Sequence, residues 1–296
     1  TIIFFGLDTQ QITMNLLHIS DMHFGSRHWG GDNGLLLEKL NSYAADVIFN
    51  TGDITTDSLE GEFEAAGKFL NALNCRQIIS IVGNHDKRSM RSQDFFREHI
   101  ADIDVIRPLD PEKCRKNKIF VDQYTTGIAE KFSDINFIKK ITIGSESLLV
   151  VGLDTSELFQ DIGFIDAEML KSVSKKIEQF DYDKIVLLNH HSILDTDSDP
   201  LFNSGRIIDF VRKHKIHHVF CGHTHKLELV QSTDLYYDHV FTQYKNGSLT
   251  SCNTPRDSNM FLFYEDFATA EMKIHVVRIF IEGGELIFRE EVIATK

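Results

Sequence analysis

The sequence predicts a layered α/β domain, and three observations lead there. Short β-rich runs alternate with stretches of helical period. Several runs are almost continuously apolar, such as Val47-Ile48-Phe49 and the segments 148–153 and 185–188, the pattern of strands buried on both faces. The chain has 296 residues, 42% hydrophobic and 25% charged, enough to enclose a substantial core and too apolar for wholesale disorder.

In chain order, strands are expected at 15–20, 46–50, 77–82, 147–153, 184–188 and 217–221. Helices are expected between them. One covers 35–43 and a second 59–73, with Asp57 as N-cap and Glu60 placed for a capping box. A third, 167–180, carries Met169, Leu170, Val173, Ile177 and Phe180 on one face, and a fourth covers 205–214. Two regions break the alternation. Residues 101–142, with a basic stretch at 113–118, read as an insertion after the third strand, either a lid or a solvated loop with a hairpin. From 239 to 296 the pattern becomes strand after strand, with Gly283-Gly284 as a hairpin turn. No repeat or linker divides the chain, so 1–296 is one domain. The apolar start lacks the basic flank and cleavage site of a signal peptide, and Met14 stands just before the first strand, so residues 1–13 read as an N-terminal extension.

Acidic residues outnumber basic ones 44 to 31, a net charge of −13. That balance disfavours a broad nucleic-acid or anionic-membrane footprint, yet clustered carboxylates need cations and suit a metal site. No apolar run reaches the ~20 residues of a membrane span. Cys75, Cys114, Cys221 and Cys252 form no CxxC pair, as expected of a reduced cytoplasmic protein rather than a disulfide framework or a zinc knot.

The chemistry gathers where strands end. Asp21-Met22-His23 closes the first strand, Gly52-Asp53 the second and Gly83-Asn84-His85-Asp86 the third; Asn189-His190-His191 and Gly222-His223-Thr224-His225 close two later ones. Ligands of open α/β sheets bind beyond the carboxyl ends of strands. Carboxylate, amide oxygen and imidazole together suit two adjacent divalent ions of Mn, Fe or Zn. Residues two apart on a strand point the same way, so Asp21 with His23, and His223 with His225, are expected to face one site.

With DMH at 21–23, GDITTD at 52–57, GNHD at 83–86, NHH at 189–191 and GHTH at 222–225, the chain resembles a calcineurin-like metallophosphoesterase over about residues 15–229. The resemblance implies a four-layer α/β/β/α sandwich with two mixed central sheets and a dinuclear metal centre. By the same resemblance Asp21, His23 and His225 hold one metal, Asn84, His190 and His223 hold the other, and Asp53 bridges them. His85 faces the scissile phosphate, and His191 stands behind the ligands. The implied reaction is in-line hydrolysis of a phosphoester by a hydroxide shared between the metals.

The spacing of the motifs, the strand end Gly152-Leu153-Asp154-Thr155 and Cys221 before GHTH resemble the class III cyclic-nucleotide phosphodiesterases. A small-molecule phosphodiester is therefore the expected substrate. Against that group, Ser192-Ile193-Leu194 replaces the usual prolines in a loop expected to border the substrate. A DNA exo- or endonuclease, a phosphomonoesterase or protein phosphatase, and a non-catalytic scaffold are the alternatives; the filled ligand positions oppose the last. The sequence leaves several roles open. Asp86 either orients an imidazole or serves a turn. Lys87, Arg88 and Arg91 either meet phosphate oxygens or are solvated. His28 and Trp29 either line the pocket or pack a loop. His214 reads as a helix-end cation, and the oligomeric state stays open.

Overall fold

A computed structural model of the chain describes residues 13–114, 117–119, 128–130, 135–194, 201–252 and 259–294. The N-terminal extension through residue 12, and Arg115 and Lys116 of the basic stretch, lie outside the described residues. The elements are, in order, β1 (Leu16–Ile19), α1 (Asn33–Asn41), β2 (Val47–Asn50), α2 (Glu60–Asn71), β3 (Ile78–Ser80), α3 (Ser92–His99), β4 (Asn117–Ile119), β5 (Ile128–Glu130), β6 (Phe137–Ile143) and β7 (Glu146–Leu153). There follow α4 (Ala167–Ile177), β8 (Lys184–Asn189), α5 (Ser204–Lys213), β9 (His218–Cys221), β10 (Glu228–Asp234), β11 (His239–Lys245), β12 (Asn259–Glu265), β13 (Lys273–Glu282) and β14 (Glu285–Ala294).

Two six-stranded mixed sheets stack face to face, one in the order β14-β13-β12-β1-β2-β3 and the other β10-β11-β9-β8-β7-β6. Alternation along each strand sends residues into different cores. Leu16, Val47 and Phe49 meet Leu148, Val150, Val186 and Phe220 between the sheets. Leu17, Ile19 and Ile48 turn outward against Leu36, Phe63, Phe69 and Phe95 of α1, α2 and α3. Leu149, Val151 and Leu187 turn the other way against Met169, Val173, Ile207 and Phe210 of α4 and α5. The result is the expected α/β/β/α sandwich, and the apolar runs are continuous because each of these strands has a packed layer on both sides.

Three local expectations are corrected. Helix α2 is capped at Leu59, not Asp57, and it is Glu62 rather than Glu60 that reaches back, accepting the backbone N–H of Asp57 and Leu59. A carboxylate at the third helical position has that reach; one at the first does not. Residues 137–142 are not insertion: they form most of β6, an edge strand paired antiparallel with β7. Its Lys139 and Lys140 are exposed and mask the strand pattern. Helix α3 was not anticipated. The Gly283-Gly284 turn is as expected, both residues having positive φ (62° and 89°) as a two-residue turn between β13 and β14 requires.

No disulfide joins the four cysteines. No helix among the described residues is long and apolar enough to cross a membrane.

Candidate metal centre

Strands β1, β2 and β3 run parallel in one sheet, and β7, β8 and β9 run parallel in the other. Their carboxyl ends meet at one edge, stitched by backbone bonds from Asp21 to Gly52, from His23 to Asp53 and from Gly222 to His190. The five predicted motifs lie on these loops. Three groups of side chains come together, in each of which the candidate ligand atoms lie within 4.8 Å of one another: Asp21, His23 and His225; His23, Asp53 and His85; Asp53, His190 and His223. Asp53 belongs to two of them and is buried between its neighbours.

The convergence has a different origin from the alternation the sequence suggested. Strand β1 stops at Ile19 and β9 at Cys221, before the motif residues. Asp21, His23, Asp53, His223 and His225 instead all have left-handed φ, between 48° and 83°. Such a conformation costs a non-glycine residue roughly 1–2 kcal/mol, so tertiary contacts must hold each one. Gly83 and Gly222 allow the close approach: a Cβ on Gly83 would stand 2.2 Å from Asp53 Oδ1, and one on Gly222 1.9 Å from Ser20 Oγ.

On the first side of the site His23 Nε2 and His225 Nε2 are 2.9 Å apart. Asp21 Oδ1, fully buried and accepting no hydrogen bond, lies 3.4 Å from His225 Nε2. Asp21 Oδ2 accepts the Ser20 hydroxyl (2.5 Å) and the His223 backbone N–H (3.1 Å). Behind it runs a buried relay: His18 Nε2–H donates to Thr51 Oγ1 (3.0 Å), which donates to Ser20 Oγ (2.8 Å). The spent Thr51 proton assigns the His18 tautomer. Burial drives the His18 pKa down to about 3, against the pull of Asp21.

On the second side Asn84 Oδ1 is 3.1 Å from His190 Nε2 and 3.0 Å from His223 Nδ1. Asp53 Oδ1 is 3.4 Å from His190 Nε2. His190 donates Nδ1–H to the Thr51 carbonyl (2.7 Å), which turns Nε2 toward these two oxygens; burial opposes charge, yet the Asp53 carboxylate raises the His190 pKa to about 9. Asn84 Nδ2 donates to Asp161 Oδ1 (3.0 Å), which orients the amide oxygen inward. His191 has both nitrogens engaged, with Thr155 Oγ1 (2.8 Å) and the Asp161 carbonyl (2.9 Å). Burial, aided by His223 and His190, holds its pKa well below the usual histidine value.

His85 donates Nδ1–H to the Thr56 carbonyl (2.7 Å) and receives two guanidinium hydrogen bonds at Nε2, from Arg27 (3.1 Å) and Arg88 (3.2 Å). Asp86 meets no imidazole. Its carboxylate accepts the backbone N–H of Ile54, Thr55 and Gly83 and the Thr55 hydroxyl, bracing the loops that carry Asp53 and Asn84. Burial, with Asp53 nearby, pushes its pKa up to about 7 against the pull of those donors. Lys87 is buried on Asp154 rather than solvated, and Arg91 lies over the Phe95 ring.

A family model for calcineurin-like phosphoesterases matches residues 14–227. The chain belongs to that family. This phosphoesterase is 25% identical over 199 residues to a Coxiella burnetii protein named as a probable cyclic nucleotide phosphodiesterase; the match covers 61% of this chain and 68% of the relative. Among solved structures, a purple acid phosphatase from yellow lupin seeds aligns with a TM-score of 0.56 at 10% identity, over 95% of this chain and 54% of that one. The GAP50 anchor of the Plasmodium inner membrane complex aligns with a TM-score of 0.54 at 11% identity, over 97% of this chain and 90% of that one. Those two likenesses show the fold.

The phosphoesterase is a metal-dependent hydrolase of phosphoric esters, and the gathered residues fit a divalent metal centre. The donor set is two carboxylates, an amide oxygen and four imidazoles, with no thiolate. Acceptor atoms face one another across the site, which costs free energy unless a cation lies between them.

The sequence reading missed Arg27, Asp161 and the Lys87–Asp154 pair, since each is a single residue in a loop whose partner is set by tertiary contact. Other residues take plainer roles than pocket lining. Trp29 packs in the core and donates to Asn33 Oδ1 (2.8 Å), and His28 stacks on Phe24. Ile193, in the loop expected to border the substrate, is buried against the α4–α5 layer. His214 is no helix-end cation. Its Nε2 meets Ser174 Oγ, and burial with Lys213 lowers its pKa to about 4.

Proposed function

We propose that this phosphoesterase hydrolyses a phosphodiester at a two-metal centre, with cyclic nucleotides as the leading substrate class. Asp21, His23 and His225 would hold one ion, Asn84, His190 and His223 the other, and Asp53 would bridge them. The observation that carries the reading is the convergence of Asn84 Oδ1 and Asp53 Oδ1 on His190 Nε2, whose other nitrogen is spent on Thr51; burial opposes charge there, yet the Asp53 carboxylate raises the His190 pKa to about 9, so the site draws positive charge. Bound divalent ions supply Lewis acidity and lower the pKa of water toward neutrality; Mn, Fe and Zn all suit these donors.

The chain's own residues do the rest. Asp53 and the imidazoles, several of them fully buried at the edge where the two sheets meet, would hold the ions in place. Arg27 and Arg88 present two guanidinium groups at His85 Nε2, and Arg27 has no carboxylate partner among the described residues. Both cations are poised to take the non-bridging oxygens of the substrate. His85 Nε2, released from them, then takes up a proton from solvent and gives it to the leaving oxygen. The diester preference is supported by the name of the Coxiella relative.

The test is to load the protein with Mn²⁺ and compare bis(4-nitrophenyl) phosphate, 4-nitrophenyl phosphate, 2′,3′- and 3′,5′-cyclic nucleotides, and single- and double-stranded DNA. Hydrolysis of the small diesters is expected. Cleavage of the monoester alone, or of DNA alone, would replace this reading.

A further inference from the structure

Strand β14 ends its sheet, and among the described residues nothing pairs with its outer edge. It is ten residues long and its register with β13 is unbroken, from Lys273 opposite Ala294 to Glu282 opposite Glu285. No proline or bulge blunts it. It also exposes apolar side chains: Val292 is 53% and Ile293 38% exposed, with Ile281 of β13 at 48%. A long, regular, partly apolar edge is a template for another strand.

The other sheet edges are poorly suited to self-pairing. Strand β3 has three residues. Strand β6 carries the adjacent Lys139 and Lys140 at its middle. Strand β10, laid antiparallel on itself about Gln231, would set Glu228 against Asp234. Strand β14 behaves differently. In a two-fold pairing centred on Glu290, Arg289 falls opposite Glu291, Phe288 opposite Val292 and Ile287 opposite Ile293. Shifting the centre to Arg289 sets Ile287 against Glu291 and Phe288 against Glu290. Centring on Phe288 sets Glu285 against Glu291, and centring on Glu291 sets Glu290 against Val292. Centring on Ile287 also sets Leu286 against Phe288 and Glu285 against Arg289, but it pairs only residues 285–289, whereas the Glu290 register matches opposite charges and apolar with apolar across residues 286–294. Glu290 itself, which would face its own copy, is balanced within its chain by the Tyr43 hydroxyl (2.6 Å), His275 (2.7 Å) and Lys39 (3.8 Å).

We propose that β14 is the interface of a symmetric dimer, in which a second copy of this chain pairs antiparallel along it with the two-fold axis at Glu290 and the sheets merge into one of twelve strands. The surface is isologous, as a two-fold interface must be, and is independent of the metal centre.

Light scattering on the purified full chain at micromolar concentration tests this. Twice the subunit mass is expected. Arg289→Glu and Glu291→Arg should each shift the protein toward monomer, at least tenfold in dissociation constant, because each sets like charges opposite one another. The double variant Arg289→Glu/Glu291→Arg restores the complementary pairs and should restore the dimer. A wild-type monomer overturns the proposal, and so does a dimer indifferent to either reversal. Single variants that dissociate while the folded double variant stays monomeric overturn it as well.

Discussion

The Lys87 ammonium lies 3.0 Å from the Asp154 carboxylate, and both side chains are fully buried. Lys87 follows His85 by two residues in the loop after β3, whereas Asp154 follows β7 in the other sheet. The pair therefore ties the two sheets together beside the candidate metal centre, and the Lys87 carbonyl adds a second tie by accepting the Phe159 N–H (2.9 Å). Removing one partner strands a buried charge. Lys87→Met should cost about 3–5 kcal/mol in unfolding free energy, measured by urea denaturation. Lys87→Met/Asp154→Leu should regain much of that loss, since a buried pair is often replaceable by apolar groups. Equal stability of Lys87→Met and wild type would deny the tie.

Asp53 lies with His23 and His85 in one side-chain group and with His190 and His223 in another, which places it as the proposed bridge. Asp53→Ala should lose at least one equivalent of bound metal and nearly all turnover. Elemental analysis after Mn²⁺ loading checks the first, and diester hydrolysis checks the second. Full metal content in the variant would remove Asp53 from the bridge.

His85 offers a ring nitrogen within 4.8 Å of His23 and Asp53, yet both its nitrogens are engaged, one with Thr56 and the other with the two guanidinium groups. His85→Ala should keep its metal content and lower kcat ~10²–10⁴-fold. Arg27→Gln should act mainly on KM, raising it on the order of tenfold, as loss of a charge-assisted hydrogen bond of about 1.5 kcal/mol implies. Unchanged KM with a lowered kcat would mean that Arg27 serves His85 rather than the substrate.

His18 gives the fold a pH dependence of its own. Its pKa falls from 6.5 in the free side chain to about 3, chiefly through burial. The unfolded chain therefore takes up a proton there between pH 6.5 and about 3 while the folded chain does not. The contribution to stability is complete above pH 6.5 and is lost as pH falls through that window, at up to about 1.4 kcal/mol per pH unit. His18→Gln keeps an N–H for Thr51 and removes the titration. Its unfolding free energy should fall less steeply than wild type between pH 6 and 4.5, and parallel curves would show that His18 does not contribute.

The sandwich was legible because several of the six expected strands are nearly continuous apolar runs, and each such run needs a packed layer on both faces. The site was legible because its side chains sit at strand ends in short, spaced motifs. The sequence suggested strand alternation as the cause of convergence; in fact the backbone leaves the strand first and turns left-handed at Asp21, His23, Asp53, His223 and His225. Strand β6 was missed because an edge strand with one exposed face admits Lys139 and Lys140, which read as loop. Arg27 and Asp161 carried no local signal, because their meaning comes from residues 58 and 77 positions away in the chain.

His23 and His225 meet at 2.9 Å across a separation of 202 residues. A ribosome adding roughly 5–20 residues per second needs on the order of 10–40 s to cover that interval. During that time β1, β2, β3 and the Asp53 loop exist without their counterparts from the second sheet, and β12, β13 and β14 of their own sheet are not yet made. A nascent chain can thus present half of the candidate ligands long before the remainder emerge, and any ion taken up then would be weakly held and freely exchanged. The full candidate ligand set exists only once His225 has been added, four of its seven members, Asp21, His23, Asp53 and Asn84, having preceded the other three by a hundred residues or more.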